Sequence, residues 1–448
     1  MKQWLVKVVS VLMVLCLLTG AAFADEMSDQ KLDACYTLAI NSISAADYEK
    51  AMTYLDDCLK YCGANNHKDI YADIFLKKGC VLTIEKQYDE ALVQLDNALA
   101  VSPDLYEANL VKSQVYTETE QYGAAIEALK LYIDASGDDT MNVSLAELYK
   151  LSGDETTGEQ VLADYETALA AAKELYESGS SKMEAGDYAG AAQDFIACSD
   201  NTTYGAGARY CAGVCLINTG DYANALGYLE SALINGITID GIYYNCGLCR
   251  MMCGDFSNAI IYFTASVNVE SFVEDAVYNR GVCYLNSAAY DEGAADFTEY
   301  LVQNIPAEDE ELDADFTKAL YFRAMCELLG GKYAEAEADF TACAQLGFEE
   351  DACKVNLTLC YVQTGEYAKA VASATECLDM SISVAECSYY RGVAYANLGY
   401  LDDAIADFTT CIDMEYDLAN IYYQRAQIYK ALGENEKYIA DLESSVNA

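Results

Sequence analysis

Residues 243–263 read YYNCGLCRMMCGDFSNAIIYF. A small residue, Gly247, precedes a Gly254-Asp255 turn signal and the aromatic Phe256; the small Ala259 and the bulky Phe263 follow. Glycine tolerates the left-handed backbone that commonly ends a helix. Elsewhere in the chain such turns are flanked by apolar residues at helical spacing, as in Tyr389-Gly392-Val393-Ala396 and Ala404-Phe408-Cys411-Ile412. The stretch predicts a helix, a tight turn and a second helix.

The post-turn position recurs at Tyr48, Tyr88, Tyr122, Glu155 (a degenerate copy), Tyr188, Tyr222, Phe256, Tyr290, Tyr333, Tyr367, Leu401 and Asn435. Seven of the eleven spacings are 34 residues, two are 33, and two are longer steps of 40 and 43. Self-similarity at this period means a stack of one supersecondary unit and no need for a closed core. Nine residues before the turn position stand Ala39, Gly79, Ser113, Ala146, Gly179, Gly213, Gly247, Gly281, Ala324, Thr358, Gly392 and Ala426, nearly all small. Three residues after it stand alanines or glycines from Ala51 to Ala404, and only the last copy, Tyr438, departs. Seven after it is a bulky apolar plug, such as Leu55, Leu95, Phe195, Phe263, Phe340 and Phe408. Small columns let two helices approach closely, and the plug fills the space between them. Ala374 stands where the tenth plug belongs, and its missing volume predicts looser packing there.

These residues carry a family resemblance. Tyr243-Tyr244-Asn245-Cys246-Gly247, Gly254-Asp255-Phe256, Ala259 and Phe263 resemble the tetratricopeptide repeat. So do Tyr389-Tyr390-Arg391-Gly392 with Tyr395, Gly399 and Ala404, and Gly79, Tyr88, Ala91, Ala98 and Pro103. The resemblance covers about twelve copies from residue 32 to the end; the fourth copy is poor, and only Pro103 supplies a closing proline. It implies an all-α fold, an α-solenoid of helix-turn-helix repeats forming a right-handed superhelix, whose concave groove holds peptides or partner proteins. In the family the column twelve residues before the turn position faces that groove. Here it reads Tyr210, Tyr244, Tyr278, Tyr321, Tyr389 and Tyr423, interrupted by Val355. Asn218, Asn286 and Asn397, four before the turn, are expected to add groove hydrogen bonds. The family's basic clamp for a terminal carboxylate is not evident, so the groove reads as tyrosine-rich and neutral to acidic.

The N-terminus is a separate object. Lys2 and Lys7 precede an apolar run from Val8 to Leu18, and small residues stand at Ala22 and Ala24. This is the pattern of a secretory signal peptide over residues 1–24, cut after Ala24. The run is short for a bilayer span, and no later segment is apolar enough, so the mature chain is expected to be secreted or extracytoplasmic without a membrane span. Cys16 does not suggest lipidation, because Leu15 stands where that processing requires a small residue. Beyond the leader, the unbroken stretch 159–178 suggests one helix shared by the fourth and fifth copies. It divides the chain into an N-terminal subarray, 25–165, and a C-terminal one, 166–448. An acidic insertion lies near 302–316; its composition invites calcium, but the glycine and terminal glutamate of the known loop are missing.

Composition narrows function. Lys plus Arg number 26 against 72 Asp plus Glu, a net charge of −46. Such a surface opposes nucleic acid and favours a neutral or basic protein or peptide partner. The one histidine, His67, makes His-dependent nucleophilic or zinc chemistry improbable, and no phosphate-cradling loop, serine elbow or metalloprotease helix is present. No cofactor is expected, and the chain reads as a non-catalytic scaffold of open oligomeric state.

The nineteen cysteines are the anomaly. Most fall in two repeat columns, seven before and ten after the turn position, where a free cysteine packs as a small hydrophobe. Cys343 with Cys353 and Cys377 with Cys387 share one separation and one register, each linking one copy's second helix to the next copy's first. They are candidate disulfides in an oxidising exterior, with buried reduced thiols as the alternative. Cys246, Cys249 and Cys253 share one helix face, with Cys215 a candidate fourth metal ligand, though structural zinc sites favour turns. The alternative function is therefore extracytoplasmic metal sequestration or thiol buffering. Loss of residues 1–24 also removes Trp4, the one tryptophan. Exported protein is expected to fluoresce from tyrosine alone, and indole emission from exported material contradicts the cleavage.

Overall fold

A left-handed residue two positions before each turn aromatic organises the chain. Eight of these slots hold glycine, Gly153 through Gly433, at φ between 76° and 91°. The other four hold Ala46, Lys86, Glu120 and Ala288 at φ 56°, 61°, 59° and 59°, a conformation strained for an L side chain. The next residue starts the second helix. Where it is aspartate (Asp47, Asp154, Asp187, Asp221 and Asp255) its carboxylate accepts the backbone N–H three residues on, capping that helix.

The computed structural model describes residues 28–62, 68–271, 273–305 and 314–448. The leader, His67 and most of the acidic insertion lie outside them. Among the described residues the fold is all-α, with 23 α-helices and no strand. The helices pair as antiparallel hairpins, from Ser28–Ser44 with Tyr48–Tyr61 to Leu418–Ala431 with Asn435–Asn447. One unbroken helix, Glu155–Glu184, serves the fourth and fifth repeats, as the breaker-free sequence predicts. The described residues divide into two compact blocks, one ending at Cys215 and the other running from Leu216 to Ala448. Within each, helices pack on their chain neighbours and first helices also touch first helices of adjacent repeats, as in a helix-turn-helix solenoid.

The size columns explain the packing. Ala51, Ala91, Ala125, Ala191, Ala225, Ala259, Ala336, Ala370 and Ala404 are all wholly buried, as are the plugs Leu55, Leu95, Phe195, Leu229, Phe263, Phe297 and Phe340. Each plug presses on the small residue of its own first helix. A Cβ added to Gly79 would stand 2.7 Å from Leu95, and one added to Gly247 or Gly392 would stand 2.8 or 2.9 Å from Phe263 or Phe408. Real side chains do not approach so closely, so glycine is needed at these three positions, whereas the ninth repeat seats Phe340 with Ala324 in one cluster. The tenth repeat reverses the pair. There Thr358, wholly buried, replaces glycine opposite Ala374, and its hydroxyl meets Ser373 Oγ at 2.7 Å. The expected looseness is thus corrected: volume has moved to the other helix.

A polar clamp repeats beside the plug. Arg280, Arg323, Arg391 and Arg425 each donate through Nε and Nη2 to both carboxylate oxygens of Asp296, Asp339, Asp407 and Asp441, at 2.6–2.9 Å. Each Nη1 donates to a threonine of the preceding repeat's second helix, namely Thr264, Thr298, Thr375 or Thr409, at 2.8–3.4 Å. One guanidinium therefore ties three helices with the forked geometry arginine suits.

Phe408→Ala is expected to destabilise its block by about 3–5 kcal/mol, and Gly392→Thr by about 1–3 kcal/mol. Together they recreate the natural Thr358/Ala374 pair, so the double variant should cost less than the sum in urea titrations. Lys86→Gly relieves a left-handed side chain and should raise stability by up to about 1 kcal/mol; a loss there contradicts the turn geometry.

Candidate functional site

Four of the column tyrosines lie on their own repeat's plug. Ring centroids are 5.8 Å apart for Tyr244–Phe263, 5.7 Å for Tyr278–Phe297, 5.8 Å for Tyr321–Phe340 and 6.4 Å for Tyr389–Phe408. One part of each ring thus continues the core, and the residues are half-buried; Tyr423 is the exposed member at 50 %. Neighbouring repeats reach the same tyrosines. Asn279 Nδ2 donates to the Tyr244 hydroxyl at 3.1 Å, and Asn420 Nδ2 to that of Tyr389 at 3.3 Å. Phe322 closes on Tyr278 at 6.2 Å, and Phe348 on Tyr321 at 5.7 Å.

Carboxylates accompany this column. The start of the next repeat brings Asp275 near Tyr244, Asp315 near Tyr278 and Glu349 near Tyr321, all three exposed acids. Burial chiefly pushes the tyrosine hydroxyls up, Tyr278 to about 12 and Tyr244 and Tyr321 in the same direction; Asp315 and Asp275 come next for the first two, while for Tyr321 Cys353 precedes Glu349. The result within the second block is a series of apolar rings, each with a hydroxyl, with Asp275 and Glu349 beside two of them and Asp315, paired with Lys318 at 2.7 Å, beside the third. It suits a cation or a hydrogen-bonding backbone and disfavours an anion.

Two further members of the column escaped the sequence reading, although the same count from Tyr48 and Tyr188 finds them. In the first block Tyr36 donates to Asp73, and Tyr176 packs on Phe195 at 5.3 Å with its hydroxyl 3.9 Å from Cys211 Sγ. Burial first, then Cys211, pushes Tyr176 up to about 12. Tyr210 is half-buried in that block. The three asparagines sit near the ends of their helices. Asn286 and Asn397 spend their amide N–H on the carbonyls of Val282 and Val393, one turn back on their own helices. Asn218 is an exposed helix end.

The cysteines occupy mostly buried positions as free thiols. Cys246 and Cys249 are wholly buried, which pushes their thiols up, whereas Cys253 is exposed. Among the described residues no group of three or more His, Cys, Asp or Glu is placed to hold a metal ion. Cys343 and Cys353 share one buried cluster, and Cys377 and Cys387 another.

Comparison with known proteins gives the following. Tetratricopeptide repeat family patterns match residues 82–148, 176–238, 385–417 and 419–448. No curated protein matches. Similar solved structures include a tetratricopeptide repeat protein from Parabacteroides merdae, at 18 % identity, covering 62 % of this chain and 99 % of that one with a TM-score of 0.36. Another is the APC/C hetero-tetramer Cut9–Hcn1, at 15 % identity, covering 93 % of each chain with a TM-score of 0.34.

The buried tyrosines set a pH limit. Their neutral form is favoured in the folded chain, so their contribution is complete below the unfolded value near 10 and is lost as pH rises towards about 12. Tyrosinate absorbance is expected to show a late-ionising class that rises together with loss of helical circular dichroism. Ionisation of every tyrosine near 10 in a still-helical chain contradicts this packing.

Proposed function

Since the chain belongs to the tetratricopeptide repeat family, we propose that it is an extracytoplasmic scaffold that holds a neutral-to-basic protein segment along its tyrosine column. Tetratricopeptide proteins bind protein partners and are generally non-catalytic, and this supports the scaffold class. The alternation of Tyr244, Tyr278 and Tyr321 with Asp275, Asp315 and Glu349 carries the finer reading. Tyrosine offers rigid area and a hydroxyl at low entropic cost, which suits an interface. The carboxylates lie one repeat apart, so an extended segment would meet ring and charge in turn. An overall charge of −46 would speed the approach of a basic segment and repel an acidic one. None of the described helices is long and apolar enough to cross a membrane. Export with removal of residues 1–24 is part of the proposal, and native protein would then begin at Asp25.

Panning a displayed peptide library of mixed charge against the full chain tests this reading. Neutral and basic sequences are expected to be enriched, with binding that weakens as salt rises. Tyr423→Ala combined with Tyr244→Phe removes an exposed ring and a hydroxyl without touching a plug. It is expected to lower affinity roughly tenfold with an unchanged thermal melt. Enrichment of acidic sequences, or unchanged affinity in the double variant, contradicts the assignment.

A further inference from the structure

Two thiol pairs share one place in the fold. Cys343 and Cys377 stand ten residues after Tyr333 and Tyr367; Cys353 and Cys387 stand fourteen before Tyr367 and Leu401. This is the seam where the second helix of one repeat meets the first helix of the next: Tyr333–Gln345 with Glu350–Gln363, and Tyr367–Asp379 with Val384–Leu398. Elsewhere along the second block the seam is filled by other buried pairs: Ala232 with Ile242, Ser266 with Ala276, and Cys411 with Ile421. Only twice do cysteines face each other.

The two turns that bring them together are copies. Phe348 N–H donates to the Cys343 carbonyl at 3.0 Å and Cys353 N–H to Glu349 at 2.8 Å. In the second turn Ile382 N–H donates to Cys377 at 2.8 Å and Cys387 N–H to Ser383 at 2.9 Å. Glu349 and Ser383 take the same left-handed conformation, at φ 45° and 40°. All four side chains are wholly buried, Cys343 and Cys353 within one core cluster and Cys377 and Cys387 within another.

We propose that Cys343–Cys353 and Cys377–Cys387 are two disulfide-forming pairs, staples in one register that brace three consecutive repeats. Each closes by exchange with a small-molecule disulfide such as oxidised glutathione. One cysteine thiolate attacks a sulfur of that oxidant and expels the first small thiol; the second thiolate then attacks the protein sulfur of the mixed disulfide and expels the other. The protein pair loses two hydrogens, and the oxidant leaves as two reduced thiols. Complete burial means that closure occurs as the chain folds or opens locally, since a folded seam excludes the oxidant.

The test refolds the full chain with oxidised glutathione, alkylates remaining thiols after denaturation and maps peptides without reductant. The expected links are 343 with 353 and 377 with 387, the other cysteines being alkylated, and dithiothreitol should then lower Tm by roughly a few degrees. Cys353→Ser and Cys387→Ser should each lose only their own link, with helical circular dichroism unchanged. A gain-of-link variant guards against misfolding. Asp417 repeats the turn at φ 40°, Tyr416 N–H donates to the Cys411 carbonyl at 3.0 Å, and Ile421 N–H donates to Asp417 at 3.0 Å. Ile421→Cys is therefore expected to join Cys411. All four native thiols alkylated after refolding, links to other cysteines, or a new thiol at 421 that stays free in a folded chain would each overturn the proposal.

Discussion

The press of a large plug on a residue with little or no side chain governs this structure. Phe263 on Gly247, Phe408 on Gly392 and Leu95 on Gly79 leave no room for one more carbon, so the separation of the two helices in a hairpin is set by atom contact. Dense interiors tolerate neither voids nor excess volume. The tenth repeat obeys the same rule from the other side, where Thr358 supplies what Ala374 lacks. The column tyrosines rest on these plugs, so their positions follow from the same contact. A surface for partners is in this sense a by-product of core packing.

Charge is arranged at two depths. Four arginines are drawn into half-buried forks with aspartates of their own hairpin and reach the preceding repeat through threonine. Burial alone would disfavour the aspartate charge, and the guanidinium compensates it. The excess acid stays outside, and some of it lines the tyrosine row. Each clamp takes up one positive and one negative charge, so the net excess of acid is left unchanged.

Much of the fold was legible because a repeated contact leaves a repeated residue size. The turn glycines, the alanine column, the plugs and the shared helix 155–184 each occupy one register, and counting from the turn recovers them. The arginine forks were equally periodic: Arg280 and Asp296, or Arg391 and Asp407, lie sixteen apart. Residue type alone does not reveal them, because an arginine or aspartate on a helix fits a solvated face equally well. The tyrosine column was read without Tyr36 and Tyr176, although the count reaches both. Asn286 and Asn397 show what spacing cannot supply, since a short amide near a helix end finds its own carbonyls first. The left-handed Ala46, Lys86, Glu120 and Ala288 were likewise invisible: neighbouring helices impose that conformation, and the residue type does not announce it.

Each hairpin is set by its own plug and held by buried contacts with the repeats beside it, as Phe263 clusters with Ala276 and Phe340 with Cys353, and by nothing more distant. Hydrogen exchange of the full chain, compared with a Phe340→Ala variant under native conditions, tests this most directly. The account predicts faster exchange in the ninth repeat and the two beside it, with the rest of the second block protected as before. Deprotection spread evenly over the block, as a single cooperative core would give, would contradict it.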